Sequence, residues 1–202
     1  MDTMDTMNAI LNYINKDELL IKSSNEGRKD IVEALIKHGA NVHANNDKSL
    51  RVASNNGYLD VVELLIAHGA DIHACDDYSL MYASHKGHLD VVEYLIENGA
   101  DIHSTDDNAL RYASANGYLD IVKCLLSHGA NIHAGLALPR PDKVGQNDEA
   151  LKWADNNGHQ VVVKYLEDYI ENKKKEKKSK EIEELQAMLL VVQNKLNKLT
   201  QQ

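Results

Sequence analysis

A period of thirty residues restricts this chain more than any other feature. Asp47-Lys-Ser-Leu-Arg-Val-Ala-Ser returns as Asp77-Tyr-Ser-Leu-Met-Tyr-Ala-Ser and as Asp107-Asn-Ala-Leu-Arg-Tyr-Ala-Ser, thirty residues on each time. A degenerate copy opens at Asp17 and another at Asp148. The second half of the unit repeats as well: Gly57-Tyr-Leu-Asp-Val-Val-Glu-Leu-Leu-Ile-Ala-His-Gly-Ala-Asp-Ile-His has counterparts beginning at Gly27, Gly87, Gly117 and, more loosely, Gly158. About five units therefore cover Asp17 to Tyr169. A unit this short cannot bury an apolar face alone, so its copies must stack into a solenoid in which each contacts only its neighbours.

The interior of such a stack has to be helical here. Phe is absent, Trp occurs once and Pro twice, which leaves Leu, Ile, Val and Ala as core material rather than an aromatic-rich sheet. Asp47 is a favourable N-cap, Leu50 and Ala53 give a short apolar stripe, and Gly57 can take the left-handed conformation that ends a helix. The first helix of this unit is predicted over 48–55. A second stripe at Leu59, Val62, Leu65 and Ile66, opposite Asp60 and Glu63, predicts a second helix over 59–68, closed by Gly69. Helices of two to three turns are unstable alone in water, so each pair must pack on the next.

The motif Gly-Tyr/His-Leu-Asp-Val-Val-Glu-x-Leu-Ile-x-x-Gly-Ala-Asp-Ile-His resembles the second-helix half of the ankyrin repeat, in units covering about three quarters of the chain. The resemblance implies an all-α ankyrin-type helical repeat solenoid that binds other proteins and is not an enzyme. That family usually runs about 33 residues and opens its first helix with Thr-Pro-Leu-His. Here those positions read Lys48-Ser-Leu-Arg51, Tyr78-Ser-Leu-Met81 and Asn108-Ala-Leu-Arg111. Thr, Pro and His are missing, and three residues are lost where the family builds its projecting hairpin finger, so the fingers are expected to be short. The thirty-residue unit in an Asn-, Lys- and Ile-rich chain is similar to the ankyrin proteins of giant amoebal viruses.

The two ends and one interruption depart from the period. Met7, Ile10, Leu11 and Ile14 follow helical spacing, so residues 1–16 are expected to cap the apolar edge of a repeat domain spanning 17–170. Between Ala134 and Asn147 the period slips by eleven residues through a stretch that holds both prolines, and proline there stops a continuing helix. This insertion, near 135–146, is either an indel tolerated in an exposed loop or a projecting contact loop anchored by Arg140. Residues 171–202 form a lysine-rich linker and an amphipathic C-terminal helix with Ile182, Leu185, Leu189, Val192, Leu196 and Leu199 spaced three and four apart. That is a coiled-coil seam of nearly three heptads, about 27 Å of helix. Met188, Leu190 and Val191 widen it beyond a two-stranded seam, so a homo-oligomer and packing back on the last repeat both stay open.

Charge divides the chain in the same place. The net charge is -9, but the stretch from Asn172 onward holds eight Lys against four Glu, +4, which leaves -13 on the body. The run from Lys173 to Lys180 reads as a solvated helical linker, a nuclear import signal or a contact to an anionic surface. It carries no aromatic residues for base stacking, so nucleic acid is not expected as the main ligand. No apolar run approaches the roughly 18 to 20 residues of a membrane span, and Met1 to Met7 lacks the composition of a secretory signal. An intracellular, cytoplasmic protein is expected, or a nuclear one if the lysine run is an import signal. Cys75 and Cys124 stand alone, without metal-knuckle or disulfide-scaffold spacing.

Ten histidines invite a metal site, above all the rows His43, His73, His103, His133 and His38, His68, His128. Stacked helices lie about 8 to 10 Å apart, whereas nitrogens sharing one zinc approach within roughly 3.5 Å of one another. Successive members of a row cannot share a metal, and the expectation is partly buried imidazoles bonded to backbone at turns, with no metal and no cofactor. For catalysis the sequence offers no nucleophile beside a base and no facing carboxylates; Asp60, Asp90 and Asp120 with Glu63 and Glu93 read as a solvated face.

Partner identity is then expected where the units differ while the frame stays constant: Lys48, Arg51, Tyr78, Met81, Asn108, Arg111, Tyr112 and Trp153 near the turns and first helices. The helix-end pairs Asn55/Asn56, His85/Lys86 and Ala115/Asn116 join them. Tyr and Arg are common interface anchors, which singles out Tyr78, Arg111 and Tyr112, although variation can also be drift on an unused face. The leading expectation is a protein-protein interaction adaptor with a concave docking surface; the alternative is a self-assembling structural component gathered by the C-terminal helix.

Overall fold

The computed structural model describes residues 15–135 and 148–200, with side chains up to residue 194. Ten helices and no strand occur among the described residues. They come in pairs: α1 (Lys16–Asn25) with α2 (Lys29–Lys37), α3 (Ala44–Asn56) with α4 (Leu59–Ala67), α5 (Ala74–Lys86) with α6 (Leu89–Glu97), and α7 (Ser104–Ala115) with α8 (Leu119–Ser127). A fifth first helix, α9 (Glu149–Asn156), precedes the 41-residue α10 (Gln160–Thr200). By packing, the chain divides into two compact units, Met1–Val162 and Val163–Gln202, and α10 runs through the division as one helix. The expected N-terminal cap residues Met7, Ile10, Leu11 and Ile14, and Arg140 of the insertion, lie outside the described residues.

In the first unit the two predicted helices are present, and the turn between units is where the sequence reading needs correcting. Each of α3, α5 and α7 opens on a kink, its first residue followed by three consecutive left-handed residues, Asn45–Asp47, Cys75–Asp77 and Thr105–Asp107, with φ between 51° and 58°, and regular helix begins only after them. A left-handed non-glycine residue costs about 1–2 kcal/mol, least for Asn and Asp, and seven of these nine are Asn or Asp. Asp47 is therefore not the expected N-cap of its own helix. Its buried carboxylate reaches forward and accepts the backbone N–H of Asp71 in the next pair at 2.9 Å, together with Nδ1–H of His43 at 3.1 Å.

The same arrangement recurs along the stack. Asp17 accepts from Asn41 N at 2.7 Å, Asp77 from Asp101 N at 2.8 Å, and Asp107 from Asn131 N at 2.7 Å. His73 and His103 donate to Asp77 and Asp107 at 3.0 and 3.1 Å. Beyond the insertion, His133 donates to Asp148, fifteen residues on rather than four. The difference is the eleven-residue slip, so the extra segment leaves the ladder in register. The histidines of this row bond carboxylates rather than backbone, and they are more than half exposed at His43, His73 and His103. The other row does bond backbone, each Nδ1–H donating to the carbonyl four residues earlier, Ala34, Leu64 and Cys124, but these imidazoles are exposed too.

The core is built from the same positions in every pair. Leu50, Leu80 and Leu110 of the first helices, with Ala53, Ala83 and Ala113 one turn on, meet Val62, Val92, Val122, Leu65, Leu95 and Leu125 of the second helices, all essentially inaccessible. Val61 and Val91 are fully buried where the stripe reading chose Leu59, because a second helix has its own first helix on one side and the next second helix on the other. A ring also closes each junction. His88 lies over Gly57, whose left-handed φ of 75° and lack of Cβ permit the contact: a Cβ there would stand 2.4 Å from His88 Nδ1. Tyr58, Tyr118 and His159 cover Gly27, Gly87 and Gly117 in the same way, which is why Tyr or His follows the glycine in the repeated motif.

The second unit is helical throughout its described length. The lysine run is solvated, with Lys175 and Lys173 paired to Glu171 and Glu176 along the helix. Hydrogen bonding to Glu176 raises the Lys173 ammonium above its ordinary value. No helix among the described residues is long and apolar enough to cross a membrane.

Candidate functional site

First helices of successive pairs pack more closely on one another than second helices do. Small residues allow this approach: Ser49, Ala53 and Ser54, and their equivalents in α5 and α7, are buried against the neighbouring helix. Helical spacing then turns residues 48, 51, 52 and 55 of α3 away from that core, with residues 78, 81, 82 and 85 of α5 and 108, 111, 112 and 115 of α7 beside them. These positions line the first-helix side of the stack, its inner face.

Aromatic side chains on that face touch both within a helix and across pairs. Tyr78 and Tyr82 meet edge to face at 4.4 Å between centroids. His85 meets Tyr112 at 5.0 Å, and Tyr112 meets Trp153 of α9 at 5.7 Å, both edge to face. The Arg51 guanidinium stands 5.9 Å from the Tyr78 ring, and Met81 Sδ accepts from Asn108 Nδ2 at 3.4 Å. Tyr82 belongs to this row although variation between units did not single it out. The signal was present: position 82 is Val in α3 and Tyr in α5 and α7. Hydrogen bonding to Tyr78, then burial, raises the Tyr82 phenol above its ordinary value. Burial, then Lys86, lowers the His85 imidazole, and Asn116 Nδ2 donates to its Nδ1 at 3.1 Å, which requires the neutral ring.

Two expected anchors do structural work as well. Arg51 donates through Nε and Nη2 to the carbonyls of Asn46 and Asn45 at 3.0 and 2.9 Å, fastening the left-handed turn. Arg111 does the same for its own turn, donating to the Thr105 carbonyl at 3.0 Å and to Asn108 Oδ1 at 2.9 Å, and its guanidinium lies 5.4 Å from the Trp153 ring. At 3% exposure Arg111 supports the surface from beneath rather than presenting a free charge. Lys48 and Lys86 are exposed at the edges of the face. The opposite side of the stack, on the second helices, exposes Asp60, Glu63, Asp90, Glu93, Glu97 and Asp120. The two sides thus differ in chemistry: one aromatic with cations, the other acidic.

The paired helices, stacked in register through five units, meet a direct counterpart among known families: the family described as ankyrin repeats (3 copies) matches residues 2–76 and 52–135. The chain belongs to the ankyrin repeat family. Ankyrin repeats are generally protein-protein interaction modules, and the family is generally non-enzymatic. None of the curated proteins compared with the chain matches it. The matched ankyrin segment stops at the insertion, so α9 with Trp153 joins the inner face on geometry alone. Among the described residues of the ankyrin domain no three His, Cys, Asp or Glu side chains converge as a metal-ligand set.

Proposed function

We propose that this ankyrin domain is a non-enzymatic adaptor that docks a protein partner on its inner face. The observation that carries the reading is two clusters of touching rings, Tyr78 with Tyr82 and His85 with Tyr112 and Trp153, side by side along the face of the stack where units differ most. Aromatic and Arg side chains are the residue types that dominate binding energy at interfaces. Arg51, Lys48 and Lys86 around these clusters favour a partner segment with acidic and apolar groups, and the acidic second-helix side disfavours the same segment there. The thirty-residue unit supports the narrower form in which a viral chain engages host proteins, working in the cytoplasm or, through the lysine run, the nucleus.

The test is affinity capture with the intact chain, with Tyr82→Ala/Tyr112→Ala, and with the second-helix variant Glu63→Ala/Glu93→Ala. The reading expects captured proteins to be lost from the first variant and kept by the second. Trp153, the single tryptophan, reports docking by a shift in emission. Equal capture by both variants would remove the inner face as the site. A second reading, assembly of copies through the C-terminal helix, is favoured by the apolar stripe of α10, where Ile182, Leu185, Leu189 and Val192 are 54% to 64% exposed.

A further inference from the structure

Deepening the assembly reading, we propose that α10 pairs with α10 of a second copy in antiparallel orientation over Ile182 to Leu199. Ile182, Leu185, Met188, Leu189 and Val192 lie within a sector of about 120° at 100° per residue, and each is more than half exposed in the single chain. The register positions of Leu196 and Leu199 continue the same sector. A stripe this long is too apolar to stay in water and needs a cover of matching length.

The charges state which cover fits. Between Leu185 and Asn194 the helix has no charged residue. Immediately before this stretch stand Glu181, Glu183 and Glu184, and immediately after it Lys195 and Lys198. A copy running antiparallel brings each acidic end beside a basic end, twice, with Ile182 of one copy opposite Leu199 of the other and Leu189 opposite Val192. A parallel copy sets Glu against Glu, Lys against Lys, and the run from Lys173 to Lys180 against itself. In the antiparallel register that run stays outside the paired stretch. Oppositely charged ends therefore select orientation, while the stripe supplies the contact.

The experiment uses the full chain with Cys75→Ser and Cys124→Ala. Light scattering is expected to give twice the chain mass, reduced to the chain mass by Leu185→Glu/Leu189→Glu with helicity by circular dichroism unchanged. Added salt is expected to weaken the pairing, since it screens attraction rather than repulsion. For orientation, Ile182→Cys and Leu199→Cys are made in separate chains and oxidised alone and mixed. The antiparallel pair gives a covalent dimer in the mixture and little from either alone. Covalent dimer from Ile182→Cys alone overturns the orientation while leaving assembly standing. A monomeric parent chain, or twice the mass in the double Glu variant, overturns both.

Discussion

Replacing Asp77 isolates what holds one ankyrin pair to the next. Its carboxylate is buried, accepts Asp101 N–H from the following turn at 2.8 Å and His73 Nδ1–H at 3.0 Å, and sits at φ 52°. In Asp77→Ala the partly buried bond to a charged acceptor is lost, about 1.5–3 kcal/mol. The exposed His73 contact adds less than about 1 kcal/mol. Alanine in the left-handed region adds roughly 1 more. The expected total is about 2.5–5 kcal/mol. Asp77→Asn keeps an acceptor oxygen and tolerates the backbone, so it is expected to cost about 1 kcal/mol. Because coupling in a repeat array is between neighbours, a loss of this size at one junction is expected to broaden or split the unfolding transition. Urea unfolding followed by circular dichroism measures both variants. Equal costs for Ala and Asn, or an Ala cost under about 0.5 kcal/mol, would show that the forward bond does not couple the pairs.

Leu65 is fully inaccessible, so Leu65→Asp places an unpaired charge in the core and is expected to cost several kcal/mol of a total near 5–15; unchanged helicity and melting temperature would contradict the packing described. Gly57→Ala forces a left-handed alanine and moves the His88 ring, which donates to the Asn55 carbonyl at 3.0 Å, whereas Gly69 at φ 88° has nothing within 4 Å of an added Cβ. Both substitutions cost the backbone about 1–2 kcal/mol, and thermal melts are expected to show a larger loss for Gly57→Ala; equal losses would mean the ring contact is not tight. For His85, burial lowers the folded-state value, so the unfolded chain takes up the proton first, and this group's contribution to stability begins to be lost near the ordinary value of about 6.5 and is lost fully as pH falls through the lower folded-state value. Site-resolved NMR titration is expected to place its midpoint below the ordinary value, and a midpoint at or above it would speak against the burial argument.

The sequence determined the repeat, the helix pairs and the glycine-closed ends of the first helices, because each depends on residues within a turn or two of one another: Leu50 and Ala53 on one stripe, Gly57 at the close. The ankyrin resemblance rested on the same local pattern. What it could not determine depends on residues brought together by stacking. Asp47 looks like an N-cap in a local reading, and only the neighbouring pair, 24 residues on, shows that its carboxylate serves Asp71 instead. The left-handed triplet has no glycine to announce it, since it is held by Arg51 and by that forward bond. Tyr82 counts as part of the inner face because of the ring beside it, and Arg111 is withdrawn from the surface because Trp153, on the far side of the insertion, lies over it. Periodicity says which residues recur; the distance from one pair to the next decides what each touches.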